Sequence, residues 1–430
     1  MKVHLKALGC RLNEAELEQW SQQFLAAGHE IAPASQDADV LVLNTCAVTS
    51  DASGKSRRLM HRLYRENPEA RLVVTGCYAT LQAREVESAL GVDLVISNAE
   101  KDQLPQKIME AFELPVMPAM AIEPGESPLF LRGRHRAFIK IQDGCRYRCT
   151  FCIVTVARGD ERSRTVADIV NEINTLHRQG IQEIVLTGVH VGGYGSDIDS
   201  SLYHLVQEIL RETSIPRIRF ASVEPWDLPD DFFALFSNPR LMPHMHLPLQ
   251  SGSDSVLRRM ARRCKTTEFA DLVTEARRSI PGFNVTTDII VGFPGETDDE
   301  WQQSLAYLST IGFGHIHIFT YSAREGTKAA RLPDPIAEAV KKQRSQILHS
   351  LADNLKRSWL QQQLGQCVPV LWEYARQETA GQKLYTGYTP NYCKVLVSVP
   401  DNQTLENTIT ATRLNTVADD GSVLYGSLES

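Results

Sequence analysis

Short apolar segments alternate with amphipathic segments in the N-terminal part of the chain. The apolar runs predict strands at residues 3–8, 40–43, 72–74 and 92–96. Apolar positions at the helical period predict helices between them, at residues 14–27 with Asn13 as the N-cap, 55–65 and 82–90. Strands that alternate with helices predict an α/β fold with a doubly wound parallel sheet.

The alternation returns from residue 137 onward. Strands are predicted at residues 138–141, 184–186, 217–221, 244–247, 285–291 and 316–321. Helical patterns lie between them, for example at 166–177, where Thr165 and Asp168 form a capping pair. Six such units predict a partial (β/α)6 barrel that is open on one side, with its chemistry on loops at the carboxyl ends of the strands.

The pattern of apolar and polar positions changes again after a long helical pattern at residues 336–364. Short strands with polar turns are predicted at residues 368–374, 384–386, 394–399, 408–414 and 423–428, which favours a small β-barrel. A segment rich in Pro and small residues separates the first two regions. We therefore predict an N-terminal domain at 1–112, a linker at 113–135, a partial barrel at 136–362 and a C-terminal barrel at 363–430.

Composition narrows the class of protein. A chain of 430 residues with 43% hydrophobic and 23% charged residues is typical of a multidomain globular protein. No apolar run of about 18 residues and no secretion signal is present, which predicts a cytoplasmic protein without a membrane segment. The nine cysteines then indicate metal binding or catalysis rather than disulfides. A net charge of −7 does not indicate a nucleic-acid-binding protein, but local basic patches decide that question.

Three cysteines are concentrated in the segment DGCRYRCTFC, namely Cys145, Cys149 and Cys152. Thiolates this close in sequence can share one metal centre. An iron–sulfur cube usually takes four cysteines, so three leave one iron open to a small molecule. The alternative is a structural zinc site, which would require a fourth ligand nearby. The nearest histidine upstream is His135, and the next cysteine downstream is Cys264.

Three further cysteines each follow a predicted strand of the first sheet, in LGC (Cys10), NTC (Cys46) and TGC (Cys77). The carboxyl ends of parallel strands meet at one edge, where open α/β sheets bind their ligands. We expect these thiols to converge there as metal ligands. The alternative is that they are three buried cysteines without a ligand.

The spacing of Cys145, Cys149 and Cys152 resembles that of the radical S-adenosylmethionine enzymes. The stretches LGCRLNEAE, NTCAVTSDASGKSRR and TGCYA resemble the methylthiotransferase branch of that family. This resemblance implies two 4Fe-4S clusters, one on each set of three cysteines, with S-adenosyl-L-methionine as cofactor and a low-potential electron donor such as flavodoxin as partner. It also implies that all six cysteines take part in catalysis.

Later stretches resemble the S-adenosylmethionine contacts of the family. They are LTGVHVGGYG with Gly188, LPLQSGSDSVL with Gln250 and Ser251, and TTDIIVGFPGET with Gly292 and Glu296. Arg158, in ARGDERSR, is a candidate for the methionyl carboxylate or substrate phosphates, or else a solvated surface residue. One departure is that Ile153 is followed by Val-Thr-Val, where the family commonly has Pro and an aromatic residue.

The stretch GYTPNYCKVLV resembles the RNA-binding TRAM domain. Tyr388, Tyr392 and Lys394 are candidates for base stacking and phosphate contacts, although tyrosines on strands also serve as packing partners. Basic residues that favour an RNA partner cluster at Lys55, Arg57, Arg58, Arg62 and Arg65, and at Arg258, Arg259, Arg262, Arg263 and Lys265.

The complete pattern most resembles the methylthiotransferases that modify carbon 2 of N6-threonylcarbamoyladenosine in transfer RNAs reading codons that begin with A. The alternatives are a sibling enzyme acting on isopentenyladenosine or on a ribosomal-protein aspartate, and a non-catalytic RNA-binding protein with metal sites. No segment specifies an oligomeric state.

Overall fold

The computed structural model describes residues 1–112, 135–229, 231–379 and 381–429. The predicted linker at 113–135 falls outside these ranges except for His135. Within them, no helix combines the length and the apolar character that a membrane crossing requires.

The N-terminal region forms one parallel five-stranded sheet in the order β2-β1-β3-β4-β5. Its strands are β1 (Lys2–Ala7), β2 (Glu30–Ile31), β3 (Val40–Thr45), β4 (Arg71–Gly76) and β5 (Val92–Ile96). Its helices are α1 (Arg11–Ala26), α2 (Ser50–Glu66), α3 (Cys77–Leu81), α4 (Ala83–Glu87) and α5 (Leu104–Ala111). β3 is buried along its whole length because apolar clusters cover the sheet on both faces. The doubly wound sheet is therefore confirmed.

Two local predictions in this region need correction. The helix expected at 82–90 is shorter, because α4 spans only Ala83–Glu87, and the separate helix α3 precedes it. Asn13 is not an N-cap, because α1 begins at Arg11 with Cys10 as its cap. Asn13 instead lies buried in the first turn, and its amide donates to the carbonyl oxygens of Leu8 (2.8 Å) and Thr45 (3.1 Å). Its side chain thus ties the ends of β1 and β3 together.

The central region is a six-stranded partial barrel, as predicted. Its strands are β6 (Arg136–Lys140), with a small antiparallel ribbon of β7 (Gln142–Asp143) and β8 (Arg162–Ser163), followed by β9 (Glu183–Thr187), β10 (Arg217–Phe220), β11 (His244–His246), β12 (Asn284–Val291) and β13 (His315–Thr320). Parallel sheets β10-β9-β6 and β11-β12-β13 are joined by bridges between Ile218 and Leu241 and between Ser222 and His246. Strand order around the barrel therefore follows chain order.

Helices cover the outside of this barrel, and the largest apolar cluster lies between them and the strands. The short helix α6 (Val154–Arg158) instead packs against the N-terminal region, whose apolar cluster includes Ala157. The helices that cover the barrel are α7 (Val166–Arg178), α8 (Leu202–Glu212), α9 (Asp254–Arg259), α10 (Thr266–Ser279) and α11 (Asp298–Ile311). The Thr165 hydroxyl accepts a hydrogen bond from the Asp168 amide, which confirms the predicted cap of α7.

Helix α12 (Glu338–Gln361) leads into a closed C-terminal barrel of strand order β14-β15-β16-β18-β17. The strands are β14 (Cys367–Thr379), β15 (Gln382–Tyr388), β16 (Lys394–Pro400), β17 (Ile409–Val417) and β18 (Leu424–Leu428). Trp372 lies at 0% exposure in its core. The small β-barrel expected from the short strands is confirmed.

Candidate functional site

Three cysteines meet at the carboxyl edge of the N-terminal sheet, and we call them the N-terminal site. Cys10 follows β1, Cys46 follows β3, and Cys77 begins α3 directly after β4. These three strands are neighbours, so their ends lie side by side. Burial, with smaller contributions from the Cys10 and Cys77 thiols, raises the pKa of Cys46 to about 11. The predicted convergence is therefore present, and all three cysteines are free.

Gly9 allows the Cys10 loop to pass directly against Cys46. Its φ is +111°, and a Cβ atom at this position would lie 2.5 Å from the Cβ of Cys46 and 2.7 Å from its Sγ. Glycine adopts this conformation without steric cost, whereas other residues would clash. The sequence LGC thus brings two of the three thiols together.

Two buried asparagines hold the cysteines of this site. The Oδ1 atom of Asn13 lies 3.6 Å from the Cys10 sulfur and accepts a hydrogen bond from Arg158 at 2.8 Å. The Nδ2 atom of Asn98 lies 3.7 Å from the Cys77 sulfur and donates to the carbonyl oxygen of Ala157 at 2.7 Å. Both asparagines therefore connect a cysteine to the central barrel.

The second set of cysteines lies on the loop after β6 and β7, and we call it the central site. The loop is anchored by backbone hydrogen bonds from Cys145 to Gly159 (3.1 Å) and from Thr150 to Met260 (3.0 Å). A third bond, from the Cys152 amide to the Cys149 carbonyl (3.0 Å), closes the turn that contains the last two thiols. These contacts fix the loop at the carboxyl rim of the barrel, where parallel barrels place their chemistry.

Burial dominates the thiol chemistry of the central site. It raises the pKa of Cys145 to about 12 and that of Cys152 to about 11. The Nη1 atom of Arg262 lies 3.8 Å from the Cys149 sulfur, and its guanidinium stacks 4.3 Å from the centroid of the Trp226 ring. Near neutral pH, thiols with pKa values raised this far become thiolates when a bound cation compensates the charge, as in metal sites.

A buried network of ion pairs joins the two sites. Arg158 donates to Glu16 (3.1 Å) and Asp143 (3.0 Å), and Lys101 and Lys140 complete the network. All five side chains are at most 5% exposed. Burial raises the pKa of Glu16, but Lys101, Arg158 and Lys140 lower it more, to about 2. The network therefore stays charged and fixes the N-terminal sheet against the central barrel.

His190 sits in an acidic cage beside the central site. Its ring nitrogens contact the carboxylates of Glu161 and, at 2.6 Å, Asp227, and the ring packs against Tyr147. Burial lowers the pKa of His190, but Asp227, Glu224 and Glu161 raise it overall through their hydrogen bonds and charges. One possible ligand atom from each of Cys145, Glu161 and His190 lies within 4.8 Å of the other two. The cage thus borders the first cysteine of the loop.

The open side of the barrel exposes a polar inner surface, which we call the crevice. Alternate residues of the strands face inward, and they include Phe138, His246, Asp288, His317 and Phe319. The His246 ring lies 3.1 Å from an Asp288 oxygen, and its centroid is 5.4 Å from that of His317. His317 is exposed and Phe319 is 44% exposed, so solvent reaches this surface. The crevice can therefore admit a polar aromatic ligand.

The residues matched to S-adenosylmethionine contacts lie at the barrel rim after their strands. Gln250 has φ of +82°, and its backbone N–H donates to the Asp288 backbone carbonyl oxygen at 2.8 Å. The Ser251 hydroxyl lies 3.2 Å from that of Ser304, and the Gly188 backbone is close to Gln142. They form tight turns, and their contacts with a cofactor stay a prediction.

The last of these turns uses Glu296 internally. Its carboxylate accepts hydrogen bonds from the Gly292 amide (2.9 Å) and from Arg344 (2.7 Å). Arg158 is similarly occupied, because its guanidinium contacts Asn13, Glu16 and Asp143. Among the described residues, both side chains make stabilising contacts within the protein. Their contacts with a cofactor also stay predictions.

The tyrosines expected to stack on RNA instead pack within the protein. The rings of Tyr388 and Tyr392 stack at 5.0 Å, and Arg136 lies 4.5 Å from the first ring centroid. Arg219 covers Tyr392 at 4.8 Å, and the His244 ring lies beside it. Arg136 and His244 begin their strands, so this loop packs at the amino ends of the barrel strands. The contacts favour the alternative in which the tyrosines are packing partners.

Some cations of each predicted basic patch are paired with neighbouring acids. On α2, Lys55 pairs with Asp51 and Arg62 with Glu66 (both 2.6 Å). In the second patch, Arg259 pairs with Glu300 at 2.6 Å. Exposed pairs of this kind leave little net charge, so each patch is weaker than its sequence indicates.

Several site residues were not identified from sequence. Arg262 was grouped with a surface patch although it contacts Cys149, and Cys264 is simply a buried core thiol. Asn98 lies 21 residues beyond Cys77, so no local signal marks it. Glu16 ends the stretch LGCRLNEAE, but its pairing with Arg158 depends on the docking of the sheet on the barrel. His190 carried a signal that was overlooked, because a histidine directly beyond a barrel strand lies at the catalytic rim.

The donor sets fit iron–sulfur clusters. Each site brings together three thiols, and thiolates are the ligands that such clusters take. The remaining cysteines are elsewhere: Cys264 is in the barrel core, Cys367 begins β14, and Cys393 accepts a hydrogen bond from Trp359 at 3.3 Å. No fourth cysteine therefore completes either site.

Comparison with protein families and curated proteins agrees with this geometry. The Radical SAM superfamily matches residues 139–308, and Uncharacterized protein family UPF0004 matches residues 2–97. Threonylcarbamoyladenosine tRNA methylthiotransferase MtaB of Bacillus subtilis is 37% identical over 405 residues, covering 92% of this chain and 90% of that protein. tRNA-2-methylthio-N(6)-dimethylallyladenosine synthase of Bacillus pumilus is 35% identical, covering 90% of this chain and 79% of that protein.

Solved structures support the fold. The radical S-adenosylmethionine methyltransferase TsrM of Kitasatospora setae matches with a TM-score of 0.58 at 15% identity, covering 76% of this chain and 77% of that one. The cobalamin-dependent enzyme OxsB matches with a TM-score of 0.53 at 12% identity, covering 84% of this chain and 56% of that one. At these identities the likeness concerns architecture alone, whereas the curated relatives share sequence over most of the chain. The chain therefore belongs to the radical S-adenosylmethionine methylthiotransferase family of enzymes.

Proposed function

We propose that the protein methylthiolates carbon 2 of N6-threonylcarbamoyladenosine, beside the anticodon, in transfer RNAs that read codons beginning with A. The observation that carries this proposal is the pair of three-thiol sites joined by one buried ion network. Two such sites suit a reaction that needs both radical generation and sulfur transfer. Membership of the family accounts for an iron–sulfur cluster and S-adenosylmethionine, and the second cluster is part of the proposal.

Each site would hold one 4Fe-4S cluster through its three cysteines. When bound, the central cluster with S-adenosylmethionine supplies a carbon radical able to attack an unactivated C–H bond, and the N-terminal cluster supplies the sulfur to be transferred. The protein contributes position: the loop of the central site is anchored to the rim, and the Arg158 network sets the N-terminal site beside it. The walls of the crevice orient the adenine and limit access of water.

The choice of nucleoside rests on the relatives. MtaB proteins of Bacillus subtilis, Chlamydia pneumoniae and Thermotoga maritima are 35–37% identical to this chain. The dimethylallyladenosine synthase relatives support a second candidate substrate at similar identity. A ribosomal-protein aspartate and a non-catalytic RNA-binding role are further alternatives, the last of which the family membership disfavours.

The remaining assignments belong to the same proposal. Transfer RNA is the macromolecular partner, and a low-potential protein such as flavodoxin in the cytoplasm delivers electrons. The predicted domain boundaries at 112, 135 and 362 separate the N-terminal, central and C-terminal units. The six cysteines are the cluster ligands, and the rim turns at Gly188, Gln250 and Gly292 contact S-adenosylmethionine.

The test is anaerobic reconstitution followed by nucleoside analysis. The protein is incubated with S-adenosylmethionine, dithionite, sulfide and transfer RNA that carries threonylcarbamoyladenosine, and the digested RNA is examined by mass spectrometry. We expect a methylthio group on that nucleoside. The matched control is transfer RNA that carries isopentenyladenosine.

Each outcome separates the alternatives. Modification of the control alone would replace the proposed substrate with that of the sibling enzymes. Formation of 5′-deoxyadenosine without modified RNA would retain the radical chemistry and reject both nucleosides. Absence of 5′-deoxyadenosine from protein with a full complement of iron would favour the non-catalytic alternative.

A further inference from the structure

Arg11 presents an exposed guanidinium group next to a cysteine of the N-terminal site. It directly follows Cys10 and begins α1. Its guanidinium carbon lies 5.9 Å from the centroid of the Phe138 ring and 6.0 Å from that of Tyr392, and its Nη2 donates to the Tyr392 hydroxyl at 3.5 Å. Phe138 faces inward from β6, so this side chain extends along the wall of the crevice.

The positive charge of Arg11 lowers the pKa values of two histidines across the crevice. Burial and His246 lower the pKa of His317, and Arg11 adds a smaller decrease. Burial and other cations lower the pKa of His244, to which Arg11 also contributes. These histidines begin or lie within β11 and β13, on the wall opposite Phe138. Arg11 therefore faces the interior of the barrel and not its outer surface.

Neighbouring arginines in this interior already have acidic partners. Arg136 pairs with Glu373 at 2.7 Å, Arg219 pairs with Glu183 at 2.9 Å, and Arg158 belongs to the buried network. Arg11 differs because no carboxylate in the described ranges lies within 4 Å of it. A guanidinium held by aromatic contacts, with its remaining donors open to solvent, is suited to a planar anion.

We propose that Arg11 binds the carboxylate of the threonylcarbamoyl group and so selects transfer RNA that carries this modification. The inference rests on the proposed function and deepens it. Arg11 lies beside the inward-facing Phe138, so a group attached to N6 of a base that entered the crevice would reach it, whereas a backbone phosphate would lie farther out. A dimethylallyl group carries no charge that could pair with Arg11. Its entry would remove water from the guanidinium without supplying a hydrogen-bond acceptor in its place.

The test is a binding cycle that changes both protein and ligand. Anticodon stem-loops with threonylcarbamoyladenosine, its carboxylate methyl ester, isopentenyladenosine or unmodified adenosine are titrated against reconstituted protein by fluorescence anisotropy. We expect Arg11→Gln to weaken binding of the carboxylate form about 10- to 100-fold, as loss of a charge-assisted contact does. Esterification should weaken wild-type binding to the same degree and should not weaken binding by Arg11→Gln further.

Control variants exclude an indirect effect. Arg11→Lys keeps the charge without the planar fork and should retain part of the preference for the carboxylate. Arg211→Gln removes an exposed arginine on α8, paired with Glu208, and should change nothing. Iron content and S-adenosylmethionine cleavage without RNA should be the same in Arg11→Gln and wild type. If Arg11→Gln lost iron, the difference in binding between the carboxylate and methyl-ester stem-loops, measured with wild type and with Arg11→Lys, would still test the inference.

Three results would overturn the inference. Equal weakening of all four stem-loops by Arg11→Gln would assign the residue to a phosphate. An unchanged preference for the carboxylate form in Arg11→Gln would remove Arg11 from recognition. Insensitivity of wild type to esterification would remove the carboxylate itself. Formation of methylthiolated threonylcarbamoyladenosine by wild type tests the proposed function separately, so failure of one can be told from failure of the other.

Discussion

The N-terminal site draws its three cysteines from the ends of three strands, whereas those of the central site lie on one loop, within residues 145–152. The first set exists only when β1, β3 and β4 are correctly paired. The second needs only its loop, which backbone hydrogen bonds hold against the rim. Two sites with the same donors, three thiols each, can therefore depend on very different structural elements: three correctly paired strands in one case and a single loop in the other. Side-chain support reflects this: Asn13, Asn98 and Arg158 surround the N-terminal site.

The largest expected effect separates the chemical roles of the two sites. Cys152→Ala should abolish formation of 5′-deoxyadenosine, because the central site would lose a ligand of the cluster that cleaves S-adenosylmethionine. Cys10→Ala should retain this cleavage but form no methylthiolated RNA. Both are measured by mass spectrometry of the small molecules and of digested RNA. Cys367→Ala, at an exposed thiol at the start of β14, is the control and should retain both activities.

Loss of cleavage in a folded Cys10→Ala protein would break the proposed division between the sites. Far-ultraviolet circular dichroism and the iron content of the central site establish that the variant is folded.

The next effect concerns the network that joins the sites. Arg158→Met should lower the free energy of unfolding by about 3–5 kcal/mol, because Glu16 and Asp143 would remain buried and charged without it. Equilibrium urea unfolding of cluster-free protein measures the change. Arg211→Met, in an exposed pair, should cost less than about 1 kcal/mol. Similar losses in the two variants would mean that the network contributes no more than a surface pair.

A smaller effect is expected from the amide beside Cys77. Asn98→Asp keeps the shape of the side chain but removes the donor near the sulfur, so the N-terminal site should lose iron to a chelator about tenfold faster. Iron in the central site should be retained at the wild-type rate. Asn174→Asp, at an exposed amide on α7, is the matched control. Equal loss of iron from both sites would show that Asn98 supports the whole interface and not one ligand.

The smallest effect is expected at the central site, where side-chain support is slight. Arg262→Gln removes a weak contact with Cys149 and should slow S-adenosylmethionine cleavage about two- to fivefold. Initial rates of 5′-deoxyadenosine formation measure it. Arg263→Gln changes an exposed neighbour that packs over Tyr147, and it should have no effect. A loss as large as that of Cys152→Ala would make the two sites equally dependent on side chains.

The same contrast explains how far the sequence could predict the site. Cys145, Cys149 and Cys152 were identifiable from spacing, and convergence of Cys10, Cys46 and Cys77 followed from the geometry of a parallel sheet. The partner of Arg158 could not be predicted, because Glu16 lies 142 residues away and meets it only when the sheet docks on the barrel. Asn13 was misassigned since capping patterns locate a helix start only to within a few residues.

The loop of the C-terminal barrel that carries Tyr388 and Tyr392 was expected to contact RNA. Its position determines how the activity of a protein that lacks this barrel should be interpreted. Tyr392 lies against Arg136, Arg219 and His244, at the amino ends of the strands that carry the crevice. Deleting the barrel would expose these buried polar groups to water and release the strand ends. A truncated enzyme would thus lose activity even toward a short oligonucleotide, so inactivity after truncation is no measure of RNA affinity. Point substitutions at outward-facing positions on the strands of the barrel are the informative alternative.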